Sequence, residues 1–210
     1  MKLLLNKLLI NLLASGLVLS SAPMDAYFKC ETVADKGKKA DWVTFTSKEN
    51  GFSVDLPKQP EQVHQKLDVP KTDLSIEYDT YVSEINDSVV YVVSVWHYPA
   101  ELDMSQPEVN LQDGFGGMLS ALPNSQVLNM KMTDVQSFKA LEFLVKNDDI
   151  YFQGRLILVY NTLYQVFSVY KGVDTTKTTY QQFSDSFTLI NPEKNKVAAP
   201  KSTKTSEASF

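Results

Sequence analysis

The sequence predicts an α+β domain: an antiparallel β-sheet flanked by helices, with its elements running βββββ-α-ββββ-α. Three observations lead there. Short runs rich in Val, Ile, Thr and aromatic residues are separated by turn residues such as Glu49-Asn50-Gly51 and Asn147-Asp148-Asp149, and strands joined so tightly pair antiparallel. Only two stretches leave this period for a helical one. Apolar residues make up 43% of the 210 residues and aromatics 11%, enough to fill a core and cover both faces of a sheet.

Order is expected from Trp42. Trp42 to Thr46 is β-branched and aromatic, Glu49-Asn50-Gly51 turns the chain, and Phe52-Ser53-Val54-Asp55-Leu56 alternates apolar and polar before Pro57 stops it. Val63 to Val69 makes a weaker strand. From Leu74 to Val82 the residues alternate with period two, so one face of that strand should be wet. After Asn86-Asp87, Val89 to Tyr98 is apolar on both faces, as suits a central strand.

The first helix follows. Asp103 or Ser105 can cap it, Pro107 and Glu108 fit its first turn, and Leu111, Phe115, Met118, Leu119 and Leu122 form one apolar stripe ending at Pro123-Asn124. Strands are then read at Gln126 to Thr133, Lys139 to Lys146, Ile150 to Tyr160 and Leu163 to Tyr170. In the third of these, Ile150, Phe152, Leu156 and Leu158 share one face, and Tyr151, Ile157 and Val159 the other. Both faces need cover, so the helices lie one on each side, or both on one side with strands closing the other. A second helix starts near Asp174 or Thr175 and carries Tyr180, Phe183 and Phe187. From Asn191 to the end, Lys, Ser, Thr, Ala and Pro dominate, and residues 191–210 are expected to be a disordered tail.

The front of the chain reads as an export signal. Lys2 and Lys7 precede a mostly apolar run from Leu8 to Leu19, and Ser20 and Ala22 fit the −3 and −1 positions of a cleavage site. Residues 1–22 are therefore the signal peptide, 23–40 a polar linker and 41–190 the α+β domain. Pro23, directly after the cut, hinders signal peptidases, so an uncleaved anchor is the rival. Cys30, the only cysteine, follows Tyr27-Phe28-Lys29, which is no lipobox, and it reads as an unpaired linker thiol.

Charge narrows the partners. Setting aside two lysines in the first 22 residues, and four lysines and two glutamates in the last 20, residues 23–190 hold 14 basic and 23 acidic side chains. A domain of net −9 repels phosphate backbones, so no nucleic-acid partner is expected. Arg155 is the only arginine, which argues against a dedicated bidentate phosphate or carboxylate site.

Trp42-Val43-Thr44-Phe45 and Asn50-Gly51-Phe52-Ser53-Val54-Asp55-Leu56-Pro57, with Pro60 shortly after, resemble the opening of the PsbP-like superfamily, which includes exported bacterial DcrB-like proteins. The closing Phe183-Ser184-Asp185-Ser186-Phe187 looks like that group's final aromatic helix with its Ser-Phe pair. The resemblance covers roughly residues 42–190. It implies an α/β/α sandwich whose antiparallel sheet begins with this hairpin, and it implies an accessory or binding role without shared catalytic residues.

Residues capable of chemistry are few. His64 and His97 are the only histidines. They sit on different strands with no local carboxylate pattern to join them, so no metal site is expected, and His97 reads as a strand-end histidine bonded to backbone or water. No Gly-x-Ser-x-Gly elbow occurs. The glycines in Asp113-Gly114-Phe115-Gly116-Gly117-Met118 fall within a helical pattern with no Gly-Lys-Ser/Thr following, so they serve packing, and they soften that helix. Asp148-Asp149 reads as a solvated turn.

No catalytic residue, metal ligand or cofactor is expected. The tyrosines and tryptophan suit an interface, and Trp96, His97, Tyr98, Tyr151 and Tyr164 form the expected ligand or partner surface. The functional expectation is an exported, non-catalytic accessory or binding protein of the periplasm or cell envelope. Its partner would be an envelope protein or small ligand, with membrane contact only through an uncleaved signal. The alternative is an envelope hydrolase or secreted effector with a site assembled from distant residues, His97 among them.

Overall fold

The domain opens with a hairpin, β1 (Val43–Ser47) and β2 (Phe52–Leu56), paired antiparallel from Val43 opposite Leu56 to Ser47 opposite Phe52. Three strands follow: β3 (Glu61–Asp68), β4 (Ser75–Ile85) and β5 (Val89–His97). Helix α1 (Pro107–Ser120) leads to a second run, β6 (Gln126–Val135), β7 (Phe138–Asn147), β8 (Ile150–Val159) and β9 (Thr162–Lys171). Helix α2 (Lys177–Ser186), a two-residue strand β10 (Thr188–Leu189) and a 3-10 turn at Pro192–Asn195 close it. These elements belong to a computed structural model that describes residues 42–69, 72–85, 89–171 and 177–196. The leader, the linker, Asn86-Asp87, the start of the second helix at Asp174 or Thr175, and the tail from residue 197 lie outside them.

The expected α+β architecture and element order hold, with β10 added. Seven strands form one antiparallel sheet in the order β3-β4-β5-β9-β8-β7-β6. Each half of the chain supplies a meander, and the halves join where β5 pairs with β9, from Val89 opposite Tyr170 to His97 opposite Thr162. A tight turn cannot connect β5 to β6 at the far edge of the sheet, so the connection runs through α1.

The two faces have different covers. On one, α1 and the turn after it set Leu111, Phe115, Met118 and Leu122 against Leu141, Phe143, Phe152, Leu156 and Leu158. On the other, α2 with the residue after it and the hairpin set Phe183, Phe187, Phe52, Val54 and Leu56 against Tyr91, Val93, Ile157, Val159 and Val166. The period-two division of β8 is as the sequence implied, with Ile150, Phe152, Leu156 and Leu158 under α1 and Ile157 and Val159 opposite. Full burial of a side chain such as Phe183, at 0% exposure, contributes about 1.5–3 kcal/mol.

Several expectations need correction. The hairpin does not begin the large sheet; it forms a separate three-stranded sheet, β1-β2-β10, because Thr188 and Leu189 pair with Ser53 and Phe52. That sheet is needed because α2, only ten residues long, cannot cover a seven-stranded face alone. Neither Asp103 nor Ser105 caps α1. Gln106 is the N-cap without a side-chain bond, while Asp103 Oδ1 accepts the Ser105 N–H in a turn just ahead of it. Residues 191–196 are placed rather than disordered: Tyr160 Oη donates to Glu193 Oε1 at 2.8 Å, and Asn195 Nδ2 to Tyr164 Oη at 2.8 Å.

The Ser-Phe pair at the end of α2 explains its own pattern. Phe187 stacks on Phe52 with centroids 5.7 Å apart, and Ser186 Oγ accepts the Asp55 N–H at 2.9 Å. Ser184 Oγ accepts from Arg155 Nη2 at 2.9 Å, and the same guanidinium lies 3.6 Å from Glu142 Oε1. The chain's one arginine thus fastens α2 to the sheet.

Candidate functional site

The face of β4 expected to be wet carries Asp79 and Tyr81, yet both are buried. The hairpin is the reason. Its turn needs a left-handed residue, and Gly51 supplies φ +63° with the Ile190 carbonyl only 3.0 Å from where a Cβ would stand. Ile190 N–H donates to Gly51 O at 2.7 Å, which holds the turn down on the sheet. Asn50, one residue earlier, is thereby buried to 2% exposure over β4, β5 and β9.

Asn50 uses every polar group it has. Its Nδ2 donates to Asp79 Oδ2 at 2.9 Å and to Tyr81 Oη at 2.7 Å. Its Oδ1 lies 2.8 Å from His97 Nε2. Its backbone N–H donates to Ser47 Oγ at 3.2 Å, and its carbonyl accepts Tyr164 Oη–H at 2.8 Å. Asp79 also takes Gln62 Nε2 at 3.3 Å and faces His64 Nδ1 at 3.1 Å on Oδ1. Strand periodicity assembles this set. His64 and Asp79 are register partners across β3 and β4, and Tyr81, His97, Thr162 and Tyr164 point from the same face.

The network fixes a tautomer. A carboxylate only accepts, so the Asn50 amide must turn its NH2 toward Asp79 and its oxygen toward His97. His97 therefore carries its proton on Nε2. Its Nδ1 faces Thr162 Oγ1 at 3.4 Å. Burial holds His97 below the ordinary imidazole value, against the charges of Asp79, Glu77 and Glu49, which favour protonation. Burial also pushes the Asp79 carboxyl up, but bonds from Asn50, Gln62 and His64, with the His64 charge, bring it net below the ordinary range. The phenols of Tyr81 and Tyr164 are raised by burial and stay neutral.

The two histidines, read as unconnected, are thus joined through Asp79 and Asn50. His97 is bonded to side chains rather than to backbone or water. The signal was present in the alternation of β4 and in the Asn-Gly turn, but only tertiary folding brings them together. Among the described residues no cluster of three His, Cys, Asp or Glu could hold a metal ion.

Beside this network an open cleft of about 480 Å³ is lined by residues 100–105, Tyr160, Asn161 and Lys196. Lys196 Nζ lies 5.7 Å above the Tyr160 ring. A recess of about 270 Å³ shares Met104, Ser105 and Tyr160 and adds Phe138, Lys139 and Leu158. The walls are mixed: apolar floor, one phenol, and charges of both signs at the rim.

The five residues expected to form a surface are dispersed. Trp96, 5% exposed, is in the core on the α1 side, stacked on Tyr78 with centroids 4.2 Å apart. Tyr98 packs against the same core, and burial raises its hydroxyl to about 12. His97 and Tyr164 meet through Asn50 on the opposite face. Tyr151, beyond both, stacks on Tyr170 with Lys146 over its ring. Alternation along β5 sends Trp96 and His97 to opposite faces, so no groove gathers the set.

No protein-family model and no curated protein matches the chain. Two of the solved structures that are similar to it illustrate the likeness. The solution structure of cyanobacterial PsbP (CyanoP) from Synechocystis sp. PCC 6803 is 14% identical, covers 76% of this chain and 98% of its own, and gives a TM-score of 0.47. The crystal structure of PA94, a protein of unknown function from Pseudomonas aeruginosa, is 8% identical, covers 67% of this chain and 92% of its own, and gives 0.37.

Proposed function

We propose that this protein is an exported, non-catalytic binding module of the cell envelope, acting by contact at the cleft beside Tyr160 and Lys196. The observation that carries the reading is the closed state of His97. Its Nε2–H is held by Asn50, and its Nδ1 faces Thr162 Oγ1 at 3.4 Å, a hydroxyl on a residue only 3% exposed, so the one hydroxyl beside this imidazole is shut away from a substrate. An amide between Asp79 and His97 also breaks any carboxylate–imidazole relay, since Asn50 takes no part in proton exchange. The leader-like residues 1–22 support export, and among the described residues no helix is long and apolar enough to cross a membrane.

One observation favours a hydrolase instead. His64 faces Asp79 at 3.1 Å with 61% of its side chain exposed, the arrangement of an oriented base. No hydroxyl or thiol among the described residues bonds its other nitrogen, so a nucleophile is missing from that pair. Assaying the purified protein, with His64→Ala and His97→Gln, on ester, phosphate-ester, glycoside and peptide substrates tests both readings. The binding reading expects no turnover by any form; turnover lost in His64→Ala would overturn it. In parallel, Tyr160→Ala should weaken retention of an envelope partner. Fractionation should find the protein in the envelope with its chain starting at Pro23.

A further inference from the structure

The seven-stranded sheet has two edges of unlike character. At β3 the exposed residues are Glu61, Gln62, His64, Lys66 and Asp68, the charged dressing by which sheets keep foreign strands away. At β6 the first six residues, Gln126 to Lys131, are all exposed, and Val127, Leu128 and Met130 stand 45%, 49% and 50% open. Those three, with Val109 of α1, are the exposed large hydrophobic residues of the described chain. Lys131 and Asp134 are the charged residues on β6.

The register shows what this edge offers. Val127, Met130 and Met132 lie opposite Val145, Phe143 and Leu141 of β7, all core residues of the α1 face. The apolar face of the sheet therefore continues onto β6. A bulge between Val127 and Asn129 leaves Leu128 outside the ladder, and pairing is regular from Asn129 to Val135. Alternate residues of that stretch direct N–H and C=O groups outward, where the large sheet has no further strand.

We propose that β6 is a strand-addition site: an extended segment of a partner protein, neutral or basic and apolar at alternate positions, pairs along Asn129 to Val135. Main-chain bonds supply affinity, and its apolar side chains cover Met130 and Met132. Two points choose this occupant over a second copy. The three half-exposed apolar side chains of β6 present a few hundred Å² at most, whereas a standard interface covers about 800 Å² on each partner. Each copy also carries a net −9 over residues 23–190, so pairing two copies brings like net charges together, whereas a neutral strand is spared that repulsion and a basic one meets attraction. The inference goes beyond the cleft and does not depend on it.

The test uses a fluorescein-labelled peptide alternating valine and threonine around one central lysine, titrated into the purified protein. Hydrogen exchange and sedimentation are followed alongside. The expected result is saturable binding by a monomer, new protection at alternate amides of β6 and none at β3. Met130→Lys should weaken binding at least tenfold, and Asp68→Asn on the opposite edge, an equal change of charge at an exposed residue of β3, should leave it unchanged; circular dichroism and melting confirm that both variants fold. No binding, equal protection of both edges, or an unmoved affinity in Met130→Lys would overturn the proposal. Self-association through β6 would assign the edge to a second copy and overturn it equally. Loss of binding in Tyr160→Ala, with Met130→Lys silent, would favour the cleft and reject the edge.

Discussion

His97 donates its Nε2–H to Asn50 Oδ1 across 2.8 Å, tying the end of β5 to a hairpin turn 47 residues earlier in the chain. Through Asn50 that bond continues to Asp79, Tyr81 and Tyr164. One amide therefore fastens the small sheet to the large one, and what resembles a reactive constellation holds the domain together.

Asn50→Ala should be costly for that reason. It strips bonding partners from Asp79, Tyr81 and His97 while leaving them beneath the hairpin. An unsatisfied buried group costs about 1–3 kcal/mol, and water can rescue some of them, so a loss of about 2–4 kcal/mol is expected. Urea denaturation measures it. A loss below about 1 kcal/mol would show that the network is ornamental to stability.

Acid should weaken the fold in a window set by His97. Its folded pKa is lowered from the ordinary 6.5, so the unfolded chain binds a proton more readily than the native one. Stability is therefore full above about 6.5 and falls as the pH drops below it, by at most about 1.4 kcal/mol per pH unit. Asp79, also lowered, adds a second loss at more acid pH, below its ordinary 3.8. His97→Gln keeps a donor for Asn50 but cannot titrate. Its stability should be flat just below pH 6.5, where the parent declines; parallel curves would refute the assignment.

The architecture was legible where pattern and local chemistry coincide. Two-faced β8, apolar β5 and the stripe of α1 each specify their neighbours by periodicity. Tertiary partners were not legible. The polar face of β4 looks solvated because alternation reports only that one face differs, and the hairpin that covers it is a separate element of the chain. Asn50 reads as a turn residue because asparagine favours turns; its burial depends on Ile190 gripping Gly51. The aromatic set misled because aromatic content does not say which face each ring takes.

Arg155 is predicted to hold α2. Its side chain is 13% exposed, bonded to Ser184 and close to Glu142. Near Tyr180, burial raises the phenol and the Arg155 charge opposes that. Arg155→Met keeps the apolar stem but leaves Ser184 without its donor, so a loss of about 1–3 kcal/mol is expected. Hydrogen exchange should show α2 opening more readily than the strands beneath it. Uniform loosening of the sheet with α2 unaffected would contradict a local clamp.

The glycines should respond to alanine in opposite directions. Gly154 lies between Phe143 and Phe167 on the flanking strands. A Cβ there would stand 2.2 Å from Phe167 Cβ and 2.6 Å from the Val166 carbonyl oxygen. These are atoms close to or within the backbone of the central strand, which cannot swing aside, so β8 and β9 would have to part. Gly154→Ala should cost more than about 3 kcal/mol. Gly116 and Gly117 are exposed on α1, and a Cβ at either meets nothing within 4 Å. There alanine only removes the backbone freedom that glycine loses on folding, and each substitution should gain about 0.5–1 kcal/mol. In a domain of this size that is a rise of about 2–4 °C in Tm per kcal/mol. Thermal melting of the three single variants reads both effects. Gly154→Ala melting with the parent would mean that β8 and β9 lie farther apart than described. A drop in both α1 variants would mean that this helix face is covered.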